Sequence, residues 1–156
     1  MSNKNTMGSE VEKGYACKPK QLDINKPIMF SAIQIYVCAG DRCKTVEAEV
    51  NLAEKLRIII KELGYDAGDN RIKVTRTYCN GACRYKVFAH TYRNPNSPNA
   101  TVNNSYYAWK KVHQLSDEQW KLLLISLVKG EYPDSLNDYL VETKVYDENT
   151  KPFSHK

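Results

Sequence analysis

Four of the five cysteines fall in two short pairs, Cys38 and Cys43 in "CAGDRC" and Cys79 and Cys83 in "CNGAC", and each pair follows a strand-like run. "IMFSAIQIYVC", Ile28 to Cys38, is a continuous apolar, β-branched and aromatic stretch, the pattern of a strand buried on both faces. "RIKVTRTYC" places Ile72 and Val74 on alternate positions and also runs into a cysteine. Between the pairs lie 35 residues, 44 to 78, the length of a helix plus a strand. Within them, Leu52, Leu56, Ile59, Ile60 and Leu63 recur at helical spacing, with Asn51 placed to cap the start and Gly64 to stop the end. Strand, helix, strand over this length predicts a βαβ unit with parallel neighbouring strands and a right-handed crossover. Parallel strands end on the same edge, about 4.8 Å apart. Two cysteine pairs distant in sequence are thereby brought to one place, at the edge where α/β folds habitually hold ligands.

Downstream, "KVFAHTYR" and "NNSYYAWKKV" are two more strand-like runs around the turn formers "NPNSPNAT", predicting an antiparallel hairpin. "LSDEQWKLLLISLVKG" carries a helix start: Ser116 and Gln119 form a capping box, Leu115 and Trp120 a hydrophobic staple, and Gly130 a stop. Its expected buried stripe is Trp120, Leu123, Leu124, Leu127 and Val128. The order β-α-β-β-β-α predicts a thioredoxin-like α/β fold, a four-stranded mixed sheet with two main helices. Residues 1–27 read as a flexible N-terminal extension, 28–132 as the folded domain and 133–156 as a C-terminal extension with Pro133 and Pro152.

No apolar run approaches the length of a membrane-spanning helix, and the polar start lacks the apolar stretch of a signal peptide. The protein is therefore expected in a reducing cytoplasm, where grouped cysteines read as metal ligands or redox groups rather than structural disulfides. An odd count of five also does not suit a disulfide framework. The net charge of +5 is mild, and the basic residues are interleaved with acidic ones. This pattern argues against a dedicated nucleic-acid surface and for an ordinary solvated exterior, with room for an acidic protein partner.

Four thiolates can hold zinc, a 2Fe–2S cluster or a 4Fe–4S cluster. Gaps of four and three residues are acceptable for structural zinc, while the compact C-x2-C-x2-C run typical of a 4Fe–4S site is missing. A disulfide reductase calls for C-x-x-C after the first strand, and the spacing there is wider. Inert buried cysteine is the bland alternative, but four of five cysteines at two strand-end loops speak against it. Cys17, in the unpatterned N-terminal segment, reads as a bystander. His90, His113 and His155 lie outside any ligand spacing, and no Ser/His/Asp or paired-carboxylate arrangement points to catalysis. The aromatic residues read as core and hairpin positions, with Tyr36 and Tyr78 at comparable places near the two strand ends.

C-x4-C, 35 residues, then C-x3-C in the form "CNGAC" resembles the thioredoxin-like 2Fe–2S ferredoxins and the cluster domain of the 24-kDa subunit of respiratory NADH dehydrogenase. The resemblance spans roughly residues 32 to 132. It implies a 2Fe–2S cluster ligated by Cys38, Cys43, Cys79 and Cys83, two on each iron, in a non-enzymatic one-electron carrier between redox proteins. Members of that family are often homodimers, so the resemblance admits a homodimer. This chain departs from the family after the second pair, where "RYKV" stands in place of a Gly-Pro or Ala-Pro segment, and it lacks the helical bundle that precedes the cluster domain in the NADH dehydrogenase subunit. Arg42, Lys44, Arg84 and Lys86 flank the four cysteines, a basic rim suited to an acidic redox partner. A structural zinc module and a thiol redox protein are the alternatives for the same four thiols.

Overall fold

The computed structural model describes residues 4, 9–15, 18–21, 30–40, 43 and 51–143. The chain divides into two compact units, Met1–Phe30 and Ser31–Lys156. In the first, the backbone turns at Gly14 and closes on itself through Glu12 N–H to the Lys18 carbonyl at 2.8 Å and Lys20 N–H to the Glu10 carbonyl at 2.9 Å. Cys17, Asp41, Arg42, Lys44, His155 and the first residues of the run beginning at Ile28 lie outside the described residues.

The second unit is an α/β fold whose elements begin in the expected order β-α-β-β-β-α. Strand β1 (Ile33–Cys38), helix α1 (Leu52–Glu62), β2 (Ile72–Thr77), β3 (Ala89–Arg93), β4 (Tyr106–Trp109), helix α2 (Asp117–Lys129) and β5 (Leu140–Val141) follow one another along the chain. They build one mixed sheet in the order β2-β1-β3-β4-β5. β1 and β2 are parallel, in a register that runs from Ile33 opposite Ile72 to Cys38 opposite Thr77. β3 lies antiparallel on the other side of β1, with Arg93 opposite Ile33 and Ala89 opposite Val37, and β4 returns antiparallel to β3.

The sequence pattern predicts four strands, and the structure has five. β5 follows a 3-10 segment, Asp134–Tyr139, whose Leu136 is buried, and it places Leu140 opposite Trp109 and Val141 opposite Ala108. Two residues after a proline carry too little periodicity to be read as a strand. They form one because β4 offers an unpaired edge, and covering an edge removes a site for unwanted pairing.

β1 also departs from the expectation of burial on both faces. Ile33, Ile35 and Val37 are sealed, whereas Gln34 and Tyr36 between them are half-exposed. The cause is the helix arrangement. α1 packs on β2 and touches α2, and Lys55 Nζ meets Asp117 Oδ1 at 2.8 Å, so both helices share one face of the sheet. Against that face lie Ile72, Val74, Ala89 and Trp109 from the strands and Trp120, Leu123, Leu124 and Leu127 from α2, the stripe expected from its spacing. Thr91 is also buried there, and its hydroxyl accepts the Trp109 indole N–H at 3.1 Å. The opposite face carries a set of rings, with Tyr36 edge-on to Tyr92 at 5.7 Å and the His90 ring hydrogen-bonded to the Tyr106 hydroxyl.

α2 begins as its sequence indicates. Ser116 N–H donates to Gln119 Oε1 at 2.9 Å, Gln119 N–H donates to Ser116 Oγ at 3.1 Å, and Gly130 ends the helix at φ 75°. α1 does not. Asn51 adopts a left-handed conformation, φ 48°, and makes no cap. Its side-chain oxygen instead accepts from Arg76 Nη2 at 2.9 Å, tying the helix start to β2. Asparagine tolerates this backbone region better than most residues, which is why it suits both roles. Among the described residues no helix is long and apolar enough to cross a membrane.

Candidate metal centre

β1 ends at Cys38, where the parallel ladder does not stop at once. Ala39 N–H donates to the Thr77 carbonyl at 2.8 Å, while Cys38 N–H turns to the Phe88 carbonyl at 2.9 Å on the approach to β3. The chain after Cys38 is thus gripped from both sides. Gly40 comes next, and it lies against Cys79. A β-carbon built on Gly40 would stand 2.6 Å from both the Cα and the backbone nitrogen of Cys79 and 2.7 Å from its Cβ. Real Cβ atoms do not approach backbone that closely, so only glycine lets the two cysteine loops touch. One loop is laid directly over the other. Beyond Gly40, Cys43 N–H donates back to the Gly40 carbonyl at 3.0 Å, bringing the second thiol of the first loop inward.

The four predicted ligands are arranged as two pairs. Cys38 and Cys43 are buried at 3% and 1% exposure, Cys83 is half-exposed and Cys79 is exposed. Cys79 Sγ and Cys83 Sγ are 3.4 Å apart. The Cys38 thiol points across to the second loop, donating toward the Tyr78 carbonyl at 3.7 Å. Burial pushes the Cys43 thiol up to about 11. A hydrogen bond from Phe88 opposes that shift, whereas the hydrogen bond with Cys38 and the charges of Cys38 and Cys83 add to it. Cys43 therefore senses its own partner and a thiol of the other loop. Among the described residues, no group of three or more His, Cys, Asp or Glu side chains stands ready to hold a metal ion.

The second loop is shaped by its own glycine. Gly81 sits at φ 73° with open space around it, and its N–H donates to Cys79 Sγ at 3.3 Å. Asn80 Nδ2 donates to Thr77 Oγ1 at 3.0 Å, and Thr77 Oγ1 in turn donates to the Tyr78 carbonyl at 3.1 Å. These two polar residues hold the turn between β2 and Cys79, and sequence spacing alone did not single them out. The Phe88 carbonyl was likewise missed, because backbone groups leave no signal in residue identity.

Tyr36 and Tyr78 do not form the matched pair that their positions suggest. Tyr36 packs on Tyr92 on the open sheet face, whereas the Tyr78 side chain is 92% exposed and is not a core residue. His90 and His113 are hydrogen-bonded within the fold, the first to the Tyr106 hydroxyl and the second through Val87 N–H donating to its Nδ1 at 3.2 Å. Of the basic rim, Arg84 stacks its guanidinium 5.6 Å from the centre of the Tyr85 ring. Beside the second loop a cavity of about 390 Å³, lined by Tyr36, Thr77, Asn80, His90 and Tyr92, lies on the sheet face opposite the two helices.

No protein-family model matches the chain, and no curated protein matches it in sequence. Among solved structures it is similar to the wild-type thioredoxin-like [2Fe-2S] ferredoxin from Aquifex aeolicus, with 15% identity and a TM-score of 0.47 over 73% of this chain and all of that one.

Proposed function

We propose that this protein is a 2Fe–2S ferredoxin, a cytoplasmic one-electron carrier between redox proteins, with Cys38, Cys43, Cys79 and Cys83 as the cluster ligands. The observation that supports this reading is the contact of Gly40 with Cys79, which lays the two cysteine loops against each other. The donor set fits the group. A 2Fe–2S cluster is held by four cysteine thiolates, and here the sulfurs stand as a buried pair and an outer pair rather than as one compact knot. When bound, the cluster supplies a site that gains and loses a single electron.

The protein's own part is burial, orientation and charge. Cys38 and Cys43 are shielded from water by their surroundings, and the Gly81 N–H donates to the Cys79 sulfur. Such donors favour the more negative, reduced state and raise the potential. Arg84 and Lys86 flank the outer pair, so the partner is expected to present an acidic docking face. No nucleic acid or membrane is involved, and a homodimer is compatible with the reading.

A second reading also has an observation behind it. Cys79 and Cys83, 3.4 Å apart and open to solvent, are placed as a reactive dithiol would be. Metal and acid-labile sulfide analysis of anaerobically purified protein separates the possibilities. About two iron and two sulfide per chain are expected for a cluster ligated by four cysteines. One zinc without sulfide would replace the reading with a structural zinc module. Alkylation of Cys38, Cys43, Cys79 and Cys83 in protein with neither metal nor sulfide would replace it with a thiol redox protein.

A further inference from the structure

At the opposite end of the sheet from the cysteines, the core face carries a charge. β3 alternates so that Ala89, Thr91 and Arg93 point to the helix-covered side, opposite Val37, Ile35 and Ile33. Thr91 is satisfied there by its neighbours, but Arg93 is not. Its side chain is 8% exposed, its Nη1 donates to the Pro98 carbonyl at 3.1 Å, and its buried Nε has no acceptor. Among the described residues no carboxylate pairs with it. A guanidinium has five donors and a permanent charge, and burying such a group without a counter-charge is strongly unfavourable. Burial lowers its affinity for the proton, although Arg93 stays charged at neutral pH.

Arg93 also lines a cavity of about 340 Å³, together with Pro95, Ala100, Thr101, Val102 and Ser105. We propose that this cavity is a binding site for a small organic acid, whose carboxylate pairs with the Arg93 guanidinium and whose apolar body lies along Pro95, Ala100 and Val102.

The lining favours a carboxylate over inorganic phosphate. The planar guanidinium matches a planar carboxylate. Of the two nearby hydroxyls, Ser105 already donates to the Val102 carbonyl at 3.2 Å, and Thr101 accepts from Asn104 N–H, which leaves the Thr101 O–H as the one hydroxyl donor. A phosphate requires more donors than remain, whereas an apolar lining suits an organic body. Arg93 is opposite Ile33, five strand residues from Cys38, or about 17 Å along β1. The site is therefore separate from the thiols and does not depend on what they bind.

Calorimetric titration of the full chain with benzoate, benzamide and inorganic phosphate tests this. Benzoate is expected to bind at least tenfold more tightly than benzamide, which has the same shape without the charge, and more tightly than phosphate. Arg93→Met is expected to abolish benzoate binding. Should that variant fail to fold, Val102→Glu serves instead, since Val102 is 92% exposed and a carboxylate at the rim should repel the ligand and weaken benzoate at least tenfold. Equal binding of benzoate and benzamide, no binding of benzoate, or unchanged benzoate affinity in Val102→Glu would overturn the proposal. Phosphate binding as tight as benzoate would overturn the assignment to organic acids.

Discussion

The two cysteine loops each carry two thiols and one glycine, but they are built for opposite conditions. In the first, Cys38 and Cys43 are sealed, and Gly40 has an ordinary backbone and no room for a side chain. In the second, Cys79 and Cys83 reach toward solvent, and Gly81 has ample room but a left-handed backbone, φ 73°. Gly40 is required by contact and Gly81 by conformation. The inner loop thus fixes where the site is, while the outer loop is the part a partner can touch.

The largest effect that follows is at Gly40. Gly40→Ala puts a methyl group 2.6 Å from the Cα and nitrogen of Cys79, and backbone cannot swing aside as a flexible side chain can. The loops must separate, so the variant is expected to lose nearly all bound iron and visible absorption. The sheet and helices, which do not depend on this contact, should keep their far-ultraviolet circular dichroism. A variant that retains a full complement of iron would break the contrast between the loops.

Next in size is thiol reactivity in the metal-free, reduced protein. Iodoacetamide reaches Cys79 and Cys83 directly, but Cys38 and Cys43 only through local opening. An opening free energy of about 3 kcal/mol, low in the range for such motions, corresponds to roughly a hundredfold slower reaction. Peptide mass spectrometry over a time course measures this. Equal rates at all four thiols would show that burial of the inner pair is not maintained without a ligand.

A smaller effect is expected at Gly81. An alanine there meets nothing within 4 Å, so its only penalty is the left-handed backbone, about 1–2 kcal/mol. Gly81→Ala should keep its iron and melt a few degrees lower. Gly81→Asn should lose less, because asparagine accepts this region more readily. Loss of iron in Gly81→Ala equal to that in Gly40→Ala would mean that both glycines serve the same purpose.

The same contrast marks how far the sequence could be read. The convergence of Cys38 and Cys43 with Cys79 and Cys83 follows from strand, helix and strand lengths, because parallel neighbours must end on one edge. The α2 boundaries were equally legible, since a capping box and a terminal glycine are local signals. The contact that joins the loops was not, because Gly40 and Gly81 look alike as letters and only their surroundings tell close approach from a turn. β5 was hidden for the same reason, as Leu140 pairs with Trp109, 31 residues earlier on β4. Asn51 misled because capping and a left-handed turn call for the same residue. The half-open β1 was missed because a run of Ile, Gln, Ile, Tyr and Val does not say how many helices will cover it.

The smallest expected effect concerns charge at the outer loop. Arg84 and Lys86 lie within three residues of Cys83, and Arg84 is steadied over the Tyr85 ring, so positive charge stands beside the exposed thiols. Oxidation of the reduced protein by anionic ferricyanide should then be faster at 0.01 M than at 0.1 M salt, because the Debye length falls from about 30 Å to about 10 Å over that range. A cationic oxidant such as hexaammineruthenium(III) should show the reverse dependence. Replacing Arg84 and Lys86 with Gln removes two charges from the approach, and should reduce the ferricyanide rate a few-fold at low salt while leaving it nearly unchanged at high salt. The visible spectrum should not alter, since neither side chain is a ligand in this reading. Rates independent of salt in wild type and variant alike would mean that these cations are ordinary solvated side chains, and that docking does not depend on their charge.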